Sequence, residues 1–431
     1  MKRRHFLQTL GSLSAGIALK KSDLLPSHLP FGEALKALPD ETQFWRIVRQ
    51  QFVFPDDYAY LNTGGIGAVP TAVMNVVKTS MDQGEIAPSP GHSHEKWLET
   101  KKKCASLLGT ECKEEELALI STATEGINII LNGLPLKKGD EVITSTHEHP
   151  ALHIPLLNLI QRNGIVIRTF EPDLKSGLGN VDRIERLIGQ RTRLIFISDV
   201  TCTTGQHFPV KEIDELARAK NLWFALDGAQ AVCNTPVDVK ECHIDFYAFS
   251  GHKWTLGPKR TGVLYVRQEL LDTLHPTTVG AYSDDGYDIV QRSLKLHPTA
   301  QRYEYATQNE ALFHGLGAAV NFIQAIGLKT IWDHNKKLSE SFYAGLQTIP
   351  DVEILSPEED RFRTSMITFR MKGKTYQDIA SHLSKKRMRV RSVSEANLGG
   401  IRVSFHVCNN EDEVTHLLEE IKNLSNNCCP K

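Results

Sequence analysis

Phe246-Tyr247-Ala248-Phe249-Ser250-Gly251-His252-Lys253-Trp254 is the stretch that decides how this chain is read. An apolar run gives way to small and polar residues and then to a lysine. Short continuous apolar runs bounded by such residues suit strands covered on both faces. A lysine just past a buried strand is costly unless it has a partner or a task. Schiff-base chemistry needs such a place, because desolvation there lowers the pKa of the amine. A surface lysine that carries its ammonium out to water is the alternative.

Two further segments repeat the pattern. Asp227-Gly228-Ala229-Gln230 follows the apolar run 223–226. An acid at the C-terminal edge of a parallel sheet stands where ligands bind. Pyridoxal phosphate (PLP) needs a carboxylate against its pyridine nitrogen, which keeps the ring protonated and able to take up electrons. Asp227 suits that role; a helix cap is the alternative. Ser121-Thr122-Ala123-Thr124-Glu125-Gly126-Ile127-Asn128 joins the run 117–120 to an apolar helical stretch. Free N–H groups and hydroxyls at a helix start make an anion site. The same residues also spell a capping box, Thr122 with Glu125. An anion site, an acid and a lysine, each at a strand end, are hard to obtain by chance.

The rest of the chain supports an α/β reading. Strands are expected at 117–120, 141–145, 166–170, 194–198, 223–226, 246–249 and 262–266, with helices such as 210–220 between them. Such alternation predicts a seven-stranded, mostly parallel sheet. Beyond residue 310 come helices at 311–326 and 336–349, strands at 366–370, 389–393 and 400–404, and a helix at 411–424, a smaller α+β unit. The expected division is an export signal and linker (1–39), a large PLP-binding domain with an N-terminal arm (40–310) and a small C-terminal domain (311–431).

On these motifs the chain resembles the class V aminotransferases of PLP fold type I, the group that includes cysteine desulfurases and isopenicillin N epimerase. The resemblance rests on Tyr60-Leu61-Asn62-Thr63-Gly64, Thr124-Glu125-Gly126-Ile127-Asn128, Asp227-Gly228-Ala229-Gln230, Ser250-Gly251-His252-Lys253 and Ile401-Arg402-Val403-Ser404. It implies Lys253 as Schiff-base lysine and proton shuttle, Asp227 on the ring nitrogen, His149 stacked on the ring and Gln230 on the ring oxygen. It implies a phosphate cradle of Ala123 and Thr124, helped by Ser250 and His252. Thr307 would reach the phosphate of a neighbouring subunit, which makes the protein a homodimer. Arg402 would clamp the α-carboxylate of an amino-acid substrate with its planar fork. The alternative for Arg402 is a structural pair with an acid such as Glu395.

Two departures qualify the resemblance. Desulfurases of the family carry a reactive cysteine shortly before the substrate arginine, and Arg391-Ser392-Val393-Ser394-Glu395-Ala396-Asn397-Leu398 has none. Desulfurases also place an asparagine near the ring oxygen, where this chain has Cys202. The expected reaction is therefore epimerase-like or transamination. A carbon–sulfur lyase is the alternative, and a PLP-binding protein without turnover is the rival from another class. Retention of Arg402, which a pure binder does not need, argues against that rival.

The bulk numbers exclude other classes. The chain has 431 residues, 41% of them hydrophobic, and a net charge of −1, so nothing in it attracts nucleic acid. Eight cysteines without CxxC pairs read as small core residues, Cys428-Cys429 in a polar tail apart. His147, His149 and His153 lack a carboxylate or thiolate partner at ligand spacing, so no metal is expected. Lys2-Arg3-Arg4-His5-Phe6-Leu7 before a short apolar stretch resembles a twin-arginine signal, which predicts periplasmic or exported protein with no membrane anchor once matured. An uncleaved N-terminal helix on a cytoplasmic protein is the alternative.

Overall fold

The computed structural model describes residues 31–36, 38, 40–88 and 93–426. The expected signal lies almost wholly outside the described residues, as does Cys428-Cys429. The chain enters through the helix Glu41–Arg49, capped by Asp40, whose carboxylate accepts from Gln43 N at 2.7 Å. A two-residue strand follows, β1 (Ala59–Tyr60). Seven strands then build the main sheet: β2 (Leu117–Ile120), β3 (Glu141–Ser145), β4 (Val166–Phe170), β5 (Thr192–Ser198), β6 (Trp223–Asp227), β7 (Phe246–Ser250) and β8 (Gly262–Val266). These are the seven expected strands. The sheet order is β2-β8-β7-β6-β5-β3-β4. Strands β4, β3, β5, β6 and β7 run parallel to one another, and β8 pairs antiparallel with both its neighbours, β7 and β2.

Apolar residues alternate between the two faces of the sheet and bury against helices on both. Ala118 and Ile120 of β2 join Ile127, Ile130, Leu152 and Leu156 of the helices Ala123–Gly133 and Pro150–Asn163. Leu117 and Leu119 face the other way, into a cluster with Ile213 of the helix Val210–Ala219 and Phe313, Leu316 and Val320 of the helix Glu310–Ile326. The latter helix was expected to open the C-terminal domain at residue 311. It belongs to the core of the large domain instead, because its apolar residues cover the sheet. The chain leaves that core at Gly327 (φ 97°), where the next helix, Leu328–Gln347, departs at 74°. Before that exit comes an exposed hairpin, β9 (Asp284–Asp288) with β10 (Ser293–Leu296).

The small domain carries an antiparallel sheet. Its strands β11 (Val352–Ile354), β12 (Met366–Met371), β14 (Arg391–Val393) and β15 (Gly400–Ser404) lie in the order β11-β12-β15-β14. Leu338, Phe342, Phe369, Val403 and Leu417 fill its core. Ala59 and Leu61 share that core, and β1 pairs parallel with β13 (Met388–Arg389). The small domain thus takes a strand from the front of the chain. Among the described residues no single helix is long and apolar enough to cross a membrane.

Candidate active site

The strand order reverses around β3, whose neighbours β4 and β5 follow it in sequence on opposite sides, and such switch points are where open α/β sheets bind ligands. At that edge a cavity of about 230 Å³ is lined by Ala123, Thr124, His149, Cys202, Asp227, Gln230, Ser250, His252, Lys253, Arg391 and Arg402. The sequence-predicted residues therefore meet in one place, with one exception. Thr307 is exposed in the segment before the helix Glu310–Ile326 and does not line the cavity.

Lys253 is set by its neighbours. Trp254, fully buried, donates from Nε1 to Gln230 Oε1 at 2.9 Å, and His406 Nε2 meets Trp254 O at 2.9 Å. Gln230 Nε2 in turn donates to Gly64 O at 2.8 Å. Both ends of the Gln230 amide are thus engaged by protein, which braces the Lys253 segment, while the second N–H of Nε2 is left over and the residue still borders the cavity. Gly67 N donates to His252 O at 2.7 Å. That approach requires glycine, since a Cβ at residue 67 would fall 2.0 Å from Lys253 O. Burial lowers the pKa of Lys253, and the nearby Arg402 and Arg391 charges add to this against the pull of Asp227.

Asp227 ends β6 and is 5% exposed. Its Oδ1 accepts from Ala229 N at 3.0 Å, so it does cap the turn that follows, while the carboxylate still borders the cavity. Burial raises its pKa. Thr122 caps the helix Ala123–Gly133 by accepting from Glu125 N at 3.2 Å, and Glu125 Oε2 accepts from Ser121 N at 2.7 Å. The cap is compatible with an anion site, because capping uses Glu125 N while Thr122, Ala123 and Thr124 border the cavity. Ala123 N donates to Ser250 Oγ at 3.0 Å, and His252 Nδ1 is buried without a partner. His149 caps the helix Pro150–Asn163 through Nδ1, which accepts from Ala151 N at 3.1 Å. Burial, with Lys253 and Arg391 nearby, brings its pKa down to about 4, so the ring is neutral. His147 and His153 go elsewhere, His153 Nε2 to Ser145 O at 2.9 Å. Among the described residues no three His, Cys, Asp or Glu side chains gather as metal ligands.

The opposite wall comes from the small domain. Arg402 is 1% exposed and has only neutral acceptors: Cys202 O, and Asn62 Oδ1 at 3.4 Å. Its Nε is buried without a partner. Glu395 pairs with Arg391, not with Arg402, so the brace weighed for Arg402 is not made. Arg391 and Arg402 stand opposite each other on β14 and β15. Sequence reasoning gave no role to Asn62 or Arg391; only the quoted motif around Asn62 marked its neighbourhood.

These groups fit PLP. An amine, a buried carboxylate, a neutral flat ring and a helix N-terminus with an orphaned imidazole nitrogen border one cavity, matching the aldehyde, ring nitrogen, ring face and phosphate of that cofactor.

The fold and the cavity define a PLP-dependent enzyme, and comparison with known proteins agrees. The profile of the family "Aminotransferase class-V" matches residues 79–417, and the chain belongs to that family. A cysteine desulfurase of Serratia proteamaculans is 32% identical over 328 residues, 72% of this chain and 78% of the relative. One of Cronobacter sakazakii is 30% identical over 382 residues, 84% of this chain and 91% of the relative. Among solved structures, the apo cysteine desulfurase of Thermococcus onnurineus superposes with a TM-score of 0.79 at 26% identity, covering 89% of this chain and 98% of the other. The cystine C–S lyase C-DES in complex with cysteine persulfide superposes with a TM-score of 0.78 at 25% identity, covering 85% and 98%.

Proposed function

We propose that this enzyme cleaves the carbon–sulfur bond of a sulfur-containing amino acid by β-elimination. The observation that carries the amino-acid part is the buried, unpaired guanidinium of Arg402 in the same cavity as Lys253. A buried cation without a counter-ion is costly, and an α-carboxylate would complete it. The sulfur part rests on the relatives, which are named cysteine desulfurases and a cystine C–S lyase. They favour the lyase reading over the epimerase or transaminase reading that the motifs alone put first.

PLP, when bound, supplies the electron sink for a negative charge developing at Cα. Lys253 would take the Cα proton and pass a proton to the departing sulfur, Arg402 would hold the carboxylate, and Asp227 would hold the ring-nitrogen proton. Without a loop cysteine at 391–398 the sulfur leaves on its own rather than as an enzyme persulfide. Thr307 is left for the phosphate site of a second copy in a homodimer.

The test is a product assay with L-cysteine, L-cystine and D- and L-alanine, with and without 2-oxoglutarate. β-Elimination yields pyruvate and ammonia, with sulfide from L-cysteine or cysteine persulfide from L-cystine. Alanine from cysteine would mean desulfuration, racemised alanine an epimerase, and glutamate formation a transaminase; each of these outcomes sinks the lyase reading.

A further inference from the structure

We propose that Asp199 is a positioning residue for the cofactor, a second carboxylate that acts through Asp227 on the proton of the ring nitrogen. The proposal rests on the reading of Asp227 as the partner of that nitrogen.

Asp199 follows β5 directly, beside the end of β6, and its N–H donates to Asp227 O at 3.0 Å. Its side chain is buried, 3% exposed, and lies outside the lining of the cavity. It therefore touches neither substrate nor cofactor. One group holds its carboxylate: Tyr247 Oη donates to Oδ2 at 2.7 Å, whereas His207 Nε2 lies 3.1 Å from Oδ1 without a hydrogen bond to it. Tyr247 is fully buried on β7, opposite Leu226, and its ring passes beneath the turn after Asp227. That passage depends on Gly228, where a Cβ would fall 2.0 Å from Tyr247 Cε1. The two aspartates, the tyrosine and the glycine form one packed unit behind the cavity.

A structural role alone would be met by any acceptor for Tyr247. A carboxylate does more. A negative charge beside a desolvated carboxylate makes that carboxylate bind a proton more tightly, and the Asp199 charge, placed at the end of the neighbouring strand, acts on Asp227 in this direction. A more basic Asp227 pulls harder on the proton it shares with a pyridine nitrogen. The protonated nitrogen is what gives the ring its capacity as an electron sink.

The test is to load the full chain with ¹⁵N-labelled PLP and follow the ring-nitrogen chemical shift against pH. In Asp199→Asn the nitrogen should lose its proton about one pH unit lower than in the wild type, a tenfold change in proton affinity, with PLP content and melting retained. Asp199→Ser should shift the same way, and Asp199→Glu should restore the wild-type titration. Asp227→Asn is the control and should leave the nitrogen unprotonated at neutral pH; if it does not, the reading of Asp227 fails and the proposal goes with it. With that control in place, loaded Asn and Ser variants that titrate like the wild type overturn the proposal alone. If the neutral variants fail to load while Asp199→Glu loads, the carboxylate itself is required, as proposed. If all three fail to load, Asp199 is a structural brace and the proposal falls.

Discussion

The two ends of the cavity are built on different terms. At the cofactor end, Asp227 ends one strand and Lys253 stands in the turn after its neighbour, and Trp254, Gln230 and the Asp227 carboxylate all have protein partners. At the substrate end, Arg402 comes from the other domain, meets only neutral acceptors and keeps a buried, unpartnered Nε. Its neighbour Arg391 has Glu395. The first end is a platform bonded within the protein apart from His252 Nδ1, whereas the second has a vacancy of charge. Buried polar groups are normally satisfied, so the exception marks where a ligand has to supply the missing partner.

The sharpest way to break this contrast is at the platform. Lys253→Ala should lower turnover on the order of 10³-fold or more, because one residue serves as both covalent anchor and proton carrier. Borohydride followed by peptide mapping should attach PLP to Lys253 in the wild type and to no lysine in the variant. A label on Lys211 or Lys259 would mean that the platform has been misassigned.

At the substrate end the effect should be smaller and of another kind. Arg402→Ala should raise the amino-acid concentration needed for half-saturation by roughly ten- to a hundredfold, the worth of a charged, bidentate contact. PLP content and melting should change little, since the arginine has no ion-pair partner to abandon. A variant that melts lower yet responds normally to amino acids would make Arg402 a brace after all.

The smallest effect concerns a group behind the platform. Glu148 is buried, accepts from Ser198 N at 2.8 Å and has its pKa raised to about 7 by burial, with Asp227 adding to the rise. The folded protein therefore binds a proton there that the unfolded chain releases near the ordinary glutamate value of 4.5. Stability is present below that value and is lost as pH rises toward about 7. Glu148→Gln, which cannot ionise, should escape this loss. Urea midpoints at pH 5 and pH 8 should separate in favour of the variant at the higher pH; a constant separation would mean that Glu148 ionises freely in the fold.

What the sequence disclosed follows the same division. The main-sheet strands were legible because β5, β6, β7 and β8 are continuous apolar runs buried on both faces. Lys253 and Asp227 were legible because each stands just past such a run. The hairpin β9–β10 was not, since its residues are mostly exposed and show no alternation. Nor was the pairing of β1 with β13, because a two-residue strand has no period to detect. Arg391 and Asp199 were read only as parts of their segments. Their meaning depends on which acid reaches which arginine, and on a tyrosine arriving from another strand. The reaction was hidden for a related reason: the motifs hold the cofactor, and the cofactor end is common to reactions that differ at the substrate end.

The pairing of β1 with β13 also sets an order of events during synthesis. The segment Asn62 to Gly67 passes over the site, with Gly64 on Gln230 and Gly67 on His252. Its other anchors, Leu61 N to Arg389 O at 2.9 Å and Ser404 N to Leu61 O at 2.9 Å, belong to residues translated near the end of the chain. Long-range pairings of this kind wait for their partner to exist. As the polypeptide leaves the ribosome the large sheet is complete well before Met388 emerges. Lys253 and Asp227 are then in place beneath a strap that is fastened at one side only, and a segment made long after them closes the site.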